Sequence, residues 1–195
     1  MSLPSRSEAR DRVLRATVAT LASSGFAATT ARAIAATGGF APGVIYYHFE
    51  DLPDLFLATL RWTSEQRISR YSDVLASTPV PALASALRSL YAEDTSSGHV
   101  AAVQELVAGA ARGSPLAAQV LVEAARWEEL AASVLTRFLG GTPFEGFVPV
   151  MATAAMAFYL GLETLSHLDG DRTRSDAVFD AMEQGFAMVA GFFDS

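Results

Sequence analysis

Apolar residues recur along this chain at spacings of three and four, and strict apolar/polar alternation is rare, so the pattern predicts an all-α protein. A first helix over residues 7–23 carries Leu14, Val18 and Leu21 on one face and stops at Gly25, after which Phe26 folds back on it. Thr30 caps a short second helix over 30–37, with Ile34 and Ala35 inward, and Gly38 and Gly39 end it. After a turn of about four residues, Pro42 stands where proline best opens a helix, and a third helix runs to His48. Asp51 caps a fourth, in which Leu55, Phe56, Leu60, Ile68, Tyr71 and Leu75 carry the apolar series to residue 77. Pro79 and Pro81 break the pattern. Further helices are expected over 81–91, 99–112, 115–140, 147–168 and 175–193, with a polar loop at 93–98.

The whole-chain charge of −7 hides an uneven distribution. Residues 1–77 hold 8 Arg against 7 acids and residues 78–195 hold 6 against 14, so a phosphate-bearing partner is expected at the N-terminal end. There Arg6, Arg10, Arg12, Arg15 and Arg32 cluster within the first 32 residues. Apolar residues make up 51% of the chain, more apolar surface than one small core covers, and a subunit interface or an internal cavity is the natural outlet. The absence of cysteine removes disulfides and thiolate ligands, and the N-terminus lacks the apolar core of a signal peptide, so a cytoplasmic location is expected. Residues 146–162 form 17 positions without a charge, bounded by Glu145 and Glu163 rather than basic anchors. That favours a helix at a dimer interface, with Ala154, Ala157 and Gly161 as close-packing positions, over a membrane span.

Two short helices joined by a glycine-bearing turn make a helix-turn-helix. On the third helix Ile45 and Phe49 lie four apart and face the core, leaving Pro42, Gly43 and Tyr46 on the outer side. The residues Thr29-Thr30-Ala31-Arg32-Ala33-Ile34-Ala35, then Gly39-Phe40-Ala41-Pro42-Gly43-Val44-Ile45-Tyr46-Tyr47-His48-Phe49, resemble the DNA-binding signature of the TetR/AcrR family. The resemblance spans residues 7 to about 60. It implies a three-helix DNA-binding head, assigned to residues 1–50, on a larger body over 51–195 that binds ligand and dimerises through the last two helices. The chain departs from the family pattern at Ala41, Val44 and Leu52, where polar or basic residues are usual, and it places Glu50, Asp51 and Asp54 nearby.

The expected DNA contacts are therefore Thr30, Arg32, Pro42, Gly43, Val44, Tyr46, Tyr47 and His48. Tyr46, Tyr47 and His48 offer donors to phosphate, Gly43 permits close backbone approach, and Val44 suits a thymine methyl. The partners expected are double-stranded DNA with a palindromic operator, a second copy of the chain, and a small apolar or aromatic effector. For the effector site the sequence offers Trp62, Tyr71, Tyr91, Trp127, Met151 and Tyr159, with Phe138 beside them and Gln104, Glu105, Arg126 and His99 as polar groups. The glycines at 38–43 lack the lysine and preceding strand of a phosphate loop, and the histidines at 48, 99 and 167 are scattered, so neither enzyme activity, metal nor cofactor is expected. The competing reading is a ligand-independent dimeric interaction protein that keeps the helix-turn-helix as a scaffold.

Overall fold

In the computed structural model, residues 5–170 and 172–193 are described, with the side chains of all but 186, 187 and 189–193. Regular structure among the described residues is entirely helical: α1 (Arg6–Ser24), α2 (Ala31–Gly38), α3 (Gly43–His48), α4 (Leu52–Ser77), α5 (Leu83–Ser96), α6 (His99–Ala108), α7 (Pro115–Leu139), α8 (Val148–Asp169) and α9 (Thr173–Phe193). Single 3₁₀ turns precede α5 at Val80–Ala82 and α8 at Glu145–Phe147. The chain divides into two compact units, Met1–Glu65 with Ser97–Glu123, and Gln66–Ser96 with Ala124–Ser195.

In the first unit, α1 begins on a reciprocal cap. The Glu8 N–H donates to Ser5 Oγ at 3.2 Å, and the Ser5 N–H donates to Glu8 Oε2 at 2.6 Å. One core cluster gathers Val13 and Leu14 of α1, Ile34 of α2, Ile45 of α3, Phe49, and Leu55 of α4. A second joins Val18, Leu21, Phe56 and Leu60 to Ala102 and Leu106 of α6. The connection after α1 is held down at two points. The Phe26 N–H donates to Glu105 Oε2 at 2.7 Å, and the Phe26 ring lies 5.1 Å from that of Phe56 while covering Gly109. A side chain at Gly109 would meet that ring at 2.6 Å, which accounts for a glycine at the α6 C-cap. This also ends α6 at Ala108 rather than at the expected residue 112.

In the second unit, Tyr71 and Leu75 of α4 and Leu83 and Leu90 of α5 form the buried centre, with Trp127, Leu130, Val134 and Phe138 of α7 and Tyr159 of α8 packed against them. Its polar feature is Arg67. This guanidinium, 3% exposed, donates to Asp94 Oδ2 at 2.7 Å, to Glu163 and, at 3.4 Å, to Tyr159 Oη. Arg70 pairs with Asp94 from the other side and with Glu93 at 3.5 Å. These pairs correct the expected polar loop at 93–98: Glu93 and Asp94 are helical because α4 supplies cations for them, and Thr95 Oγ1 donates back to Tyr91 O at 2.8 Å. Hydropathy alone misread Asp94, which is buried against Arg67, as part of a solvent-facing loop. The expected α9 face reached to Phe186, Val189 and Phe193, whose side chains lie outside the described residues.

Burial opposes the charge on Arg67, but Glu163, Tyr159 and Asp94 outweigh it and raise its pKa further above the usual guanidinium range. Arg67→Met is expected to destabilise the protein by about 3–5 kcal/mol, because it removes the cation that two buried carboxylates share. Urea unfolding followed by circular dichroism measures this, and a loss under about 1 kcal/mol would contradict a charge-held centre.

Candidate DNA interface and effector cavity

The helix-turn-helix is assembled by local capping. The Ala33 N–H donates to Thr30 Oγ1 at 3.2 Å, which fixes the α2 start at the residue expected from the sequence. Gly39 closes α2 at φ 63°, a left-handed conformation that disfavours side chains. Arg12 of α1 then clasps the turn, its Nε and Nη2 donating to Gly38 O at 3.0 and 2.7 Å and Nη2 also to Gly39 O at 3.0 Å. Its guanidinium lies over the Phe40 ring. Of the N-terminal arginines that the sequence offered to phosphate, Arg12 is thus engaged with the protein's own backbone.

On α3, Ile45 is fully buried whereas Tyr46 and Tyr47 are 55% and 69% exposed. Pro42 and Gly43 are exposed, Val44 is half-buried against the core, and His48 is half-buried beside Tyr47, their rings 5.0 Å apart. Arg32 and Thr30 are exposed on and just before α2. Two of the N-terminal arginines that the sequence offered to phosphate flank this face: Arg6 sits over the Tyr47 ring at 5.6 Å and Arg10 over the Phe49 ring at 5.3 Å. Their i, i+4 spacing puts both on one face of α1. Partial burial, with Arg6 and Arg10 nearby, lowers the His48 pKa below its ordinary value.

The acidic residues that follow are also accounted for. The Asp54 N–H donates to Asp51 Oδ1 at 2.8 Å and the Glu50 N–H to Asp54 Oδ2 at 3.1 Å, so both carboxylates cap α4.

A cavity of about 400 Å³ lies in the second unit, walled by Tyr71, Leu83, Trp127, Phe138, Met151, Tyr159 and other apolar side chains of α4, α5, α7, α8 and α9. Of the expected effector residues, Tyr71, Trp127, Met151 and Tyr159 meet there. Trp127 and Tyr159 stack with rings 6.2 Å apart, and Tyr71 meets Trp127 edge-on at 5.0 Å. Tyr91 is buried with its ring against Tyr159 and Phe179 rather than in the wall. Trp62 and Gln104 belong to the first unit, where Trp62 stacks on His99 and Gln104 is buried on α6. Glu105 is committed to the Phe26 backbone. Among the described residues no cluster of three or more metal-ligating side chains occurs.

Residues 13–59 match the family model described as bacterial regulatory proteins of the tetR family. Among solved structures the chain resembles a TetR transcriptional regulator from Legionella pneumophila, with a TM-score of 0.72 at 19% identity over 95% of this chain and 99% of that one. It also resembles the transcriptional regulator FadR from Bacillus subtilis in complex with stearoyl-CoA, with a TM-score of 0.73 at 17% identity over 90% and 96%. A transcriptional regulator from Rhodococcus sp. Rha1 gives 0.69 at 19% over 92% and 94%. At these identities the likeness is one of fold. No curated protein matches the sequence.

The two glycines flanking the turn should respond oppositely to alanine. A Cβ at Gly38 would lie 2.1 Å from the Phe40 ring and 2.9 Å from Ala16 Cβ, whereas one at Gly43 meets nothing within 4 Å. Gly38→Ala is expected to cost about 1–3 kcal/mol through overpacking. Gly43→Ala is expected to leave stability unchanged or raise it by about 0.5–1 kcal/mol. Thermal unfolding of the two variants side by side checks the contrast.

Proposed function

The chain belongs to the tetR family of bacterial regulatory proteins, and on that premise we propose that it is a cytoplasmic, non-catalytic repressor whose dimer binds a palindromic operator and is released by a small apolar or aromatic effector. The DNA-binding portion is residues 1–50 and the effector and dimer portion residues 51–195. The observation that carries the DNA half is the two-sidedness of α3: Ile45 is fully buried while Tyr46 and Tyr47 stand exposed, Tyr47 with Arg6 over its ring. Exposed tyrosines in a sound core have no packing reason to be there, and a phenol with a guanidinium above it is well matched to phosphate oxygen.

In this reading Pro42, Gly43 and the outer part of Val44 meet base edges at the start of α3. Tyr46, Tyr47 and His48 donate to phosphates, and Thr30 and Arg32 do so from α2. Arg6 and Arg10 join them. The polar residues absent at 41, 44 and 52 are thereby partly replaced by cations supplied from α1.

The dimer reading rests on α8. Val150, Phe158, Leu165 and Leu168 recur at helical spacing and are all exposed, with Ala154, Ala157 and Gly161 between them. An apolar stripe of this length on a helix of composition and length sufficient to cross a membrane is better matched by a second copy, since its unit buries the opposite side with Val148, Ala152, Leu162 and the charged Glu163. A two-fold pair matches a palindromic operator, whose half-sites lie about 34 Å apart, one turn of DNA. For the effector, the cavity supplies the volume, and the stearoyl-CoA complex of Bacillus subtilis FadR supports ligand binding on this fold. Helix α4 carries Tyr71 and Leu75 of the cavity wall at one end and Leu55 of the head's core at the other, so a ligand that prefers one setting of α4 biases the head.

Tyr47→Ala is expected to weaken binding to operator and to unrelated DNA alike, by about tenfold, with the fold intact; gel shifts at fixed salt against both DNAs measure it. A loss confined to operator DNA would instead make Tyr47 a base reader. Phosphate beside His48 would favour its protonated form, opposing the present lowering, so operator affinity should rise as pH falls from 8 toward 6 and Histidine-to-glutamine replacement at position 48 (His48→Gln) should flatten that slope. Phe158→Arg is expected to yield monomers in sedimentation and abolish tight operator binding; a stable dimer would move the interface elsewhere.

A further inference from the structure

The cavity of the second unit reaches the protein surface along one helix. Of its lining side chains, Met151, Ala155 and Phe158 are exposed, and all three belong to α8; the others are buried or half-buried. Met151 and Phe158, seven residues apart and 39% and 52% exposed, lie on the same side of the helix as the exposed Val150, Leu165 and Leu168. The wall is hydrocarbon and aromatic carbon almost throughout, so an occupant is held by burial and gains from every side on which water is excluded. In a single chain the α8 side leaves that exclusion unfinished.

The exposed stripe is suited to one particular cover. Phe147, Ala154, Gly161 and Leu168 recur every seven residues, as do Met151, Phe158 and Leu165, which is the period of two helices packed along each other. Small residues at 154, 157 and 161 let a second backbone approach, and a Cβ at Gly161 would meet nothing within 4 Å. The stripe also complements itself. Against a reversed copy, Val150 faces Leu165, Ala154 faces Gly161 and Ala157 faces Phe158, all symmetric about the point between residues 157 and 158. The same symmetry sets Phe147 against Leu168 at the ends, while the bulky Phe158 meets the small Ala157 at the centre. A two-fold axis crossing α8 at that point requires such pairing, since residue i then touches j and j touches i. With a rise of about 1.5 Å per residue, Met151 and Phe158 both lie within about 10 Å of that axis along the helix, so the partner's α8 passes over the mouth they frame.

We propose that a second copy of the chain completes the cavity: two α8 helices pack antiparallel about an axis between residues 157 and 158, each covering the other's mouth, so that an apolar occupant and the dimer strengthen one another. The inference rests on the effector and dimer readings above and adds that the two are coupled. By linkage, whatever factor in affinity the occupant gains from dimerisation is returned to the dimer, once for each of its two sites. Release from DNA then takes place in an intact, tightened dimer.

The chain has no cysteine, so the register is measurable with single introduced thiols. Ala157→Cys, next to the axis, is expected to give a disulfide-linked dimer under mild oxidation, whereas Leu168→Cys is expected to give none, its two copies lying about 30 Å apart along the helices and beyond the reach of a disulfide. The coupling is measured on the full-length protein with the uncharged apolar fluorophore N-phenyl-1-naphthylamine. Dilution series by sedimentation velocity, in wild type and in Leu165→Ala, whose seam is weakened outside the cavity wall, are expected to show the dimer Kd falling about a hundredfold with both sites filled. Fluorescence titration is expected to show the probe binding about tenfold more weakly to a monomer made by Leu165→Arg. Circular dichroism checks that the variants stay helical, and the wild-type series depends on no variant. Cross-linking through Leu168→Cys, or none through Ala157→Cys, overturns the proposal, as does a dimer Kd that the bound probe leaves unmoved. In that last case, with the Ala157→Cys dimer formed as expected, the dimer reading stands and only the completion of the cavity fails. A chain that stays monomeric at every concentration, or that sediments with phosphatidylcholine vesicles in place of dimerising, removes the dimer reading and this inference together. A dimer that binds no probe removes the inference along with the effector reading.

Discussion

A guanidinium that is only 3% exposed cannot stand in an apolar helical body without compensation, and the second unit is arranged around supplying it. Arg67 projects from α4, Asp94 from α5 and Glu163 from α8, so one charge with its two carboxylates joins three helices that are far apart in sequence. The consequences spread outward. The arrangement keeps α5 helical through Asp94 and lends its hydrogen-bonding to Tyr159 and Tyr71. The rest of the wall is left to hydrocarbon and aromatic rings. The same triad that holds the helices together therefore shapes the chemistry of the space between them.

The first unit solves a different problem. Two of its helices are too short to be stable alone, α2 and α3 having eight and six residues. They are held by Thr30 and Gly39 at the two ends of α2, by the Arg12 clasp on the turn carbonyls, and by burial of Ile34, Ile45 and Leu14 in one cluster, between neighbours capped at Ser5 and Asp51. Positions needed for this framework are mostly inside or on the turn. What stands outside, Tyr46 and Tyr47 with Arg6 and Arg10, is free to be chosen for contact.

Much of this was legible in the sequence because helix ends are written in local chemistry. Thr30, Gly39, Pro42 and Asp51 each mark a boundary through their own side chain or lack of one, and the structure places those boundaries within a residue. The inward face of α3 followed from Ile45 and Phe49 alone. The failures share a cause. Asp94 read as part of a solvent-facing loop because its partners lie 24 and 27 residues earlier, and no local pattern announces an ion pair of that separation. Of the side chains expected around an effector, Tyr71, Trp127, Met151 and Tyr159 share the wall of one cavity, whereas Trp62 serves the first unit and Tyr91 packs behind Tyr159. Which of several buried aromatics border empty space is decided by long-range packing, and periodicity carries no such information.

The arginines over Tyr47 and Phe49 have one further implication. All 14 basic side chains of this chain are arginines, and the sequence contains no lysine. A guanidinium stays protonated at every pH the cell reaches and offers no nucleophilic amine. Acetylation, the modification that most directly cancels charge on a basic surface, has no side chain to act on here. The positive face around α3 therefore keeps a constant number of charges, apart from His48, whatever the acylation state of the surrounding proteome.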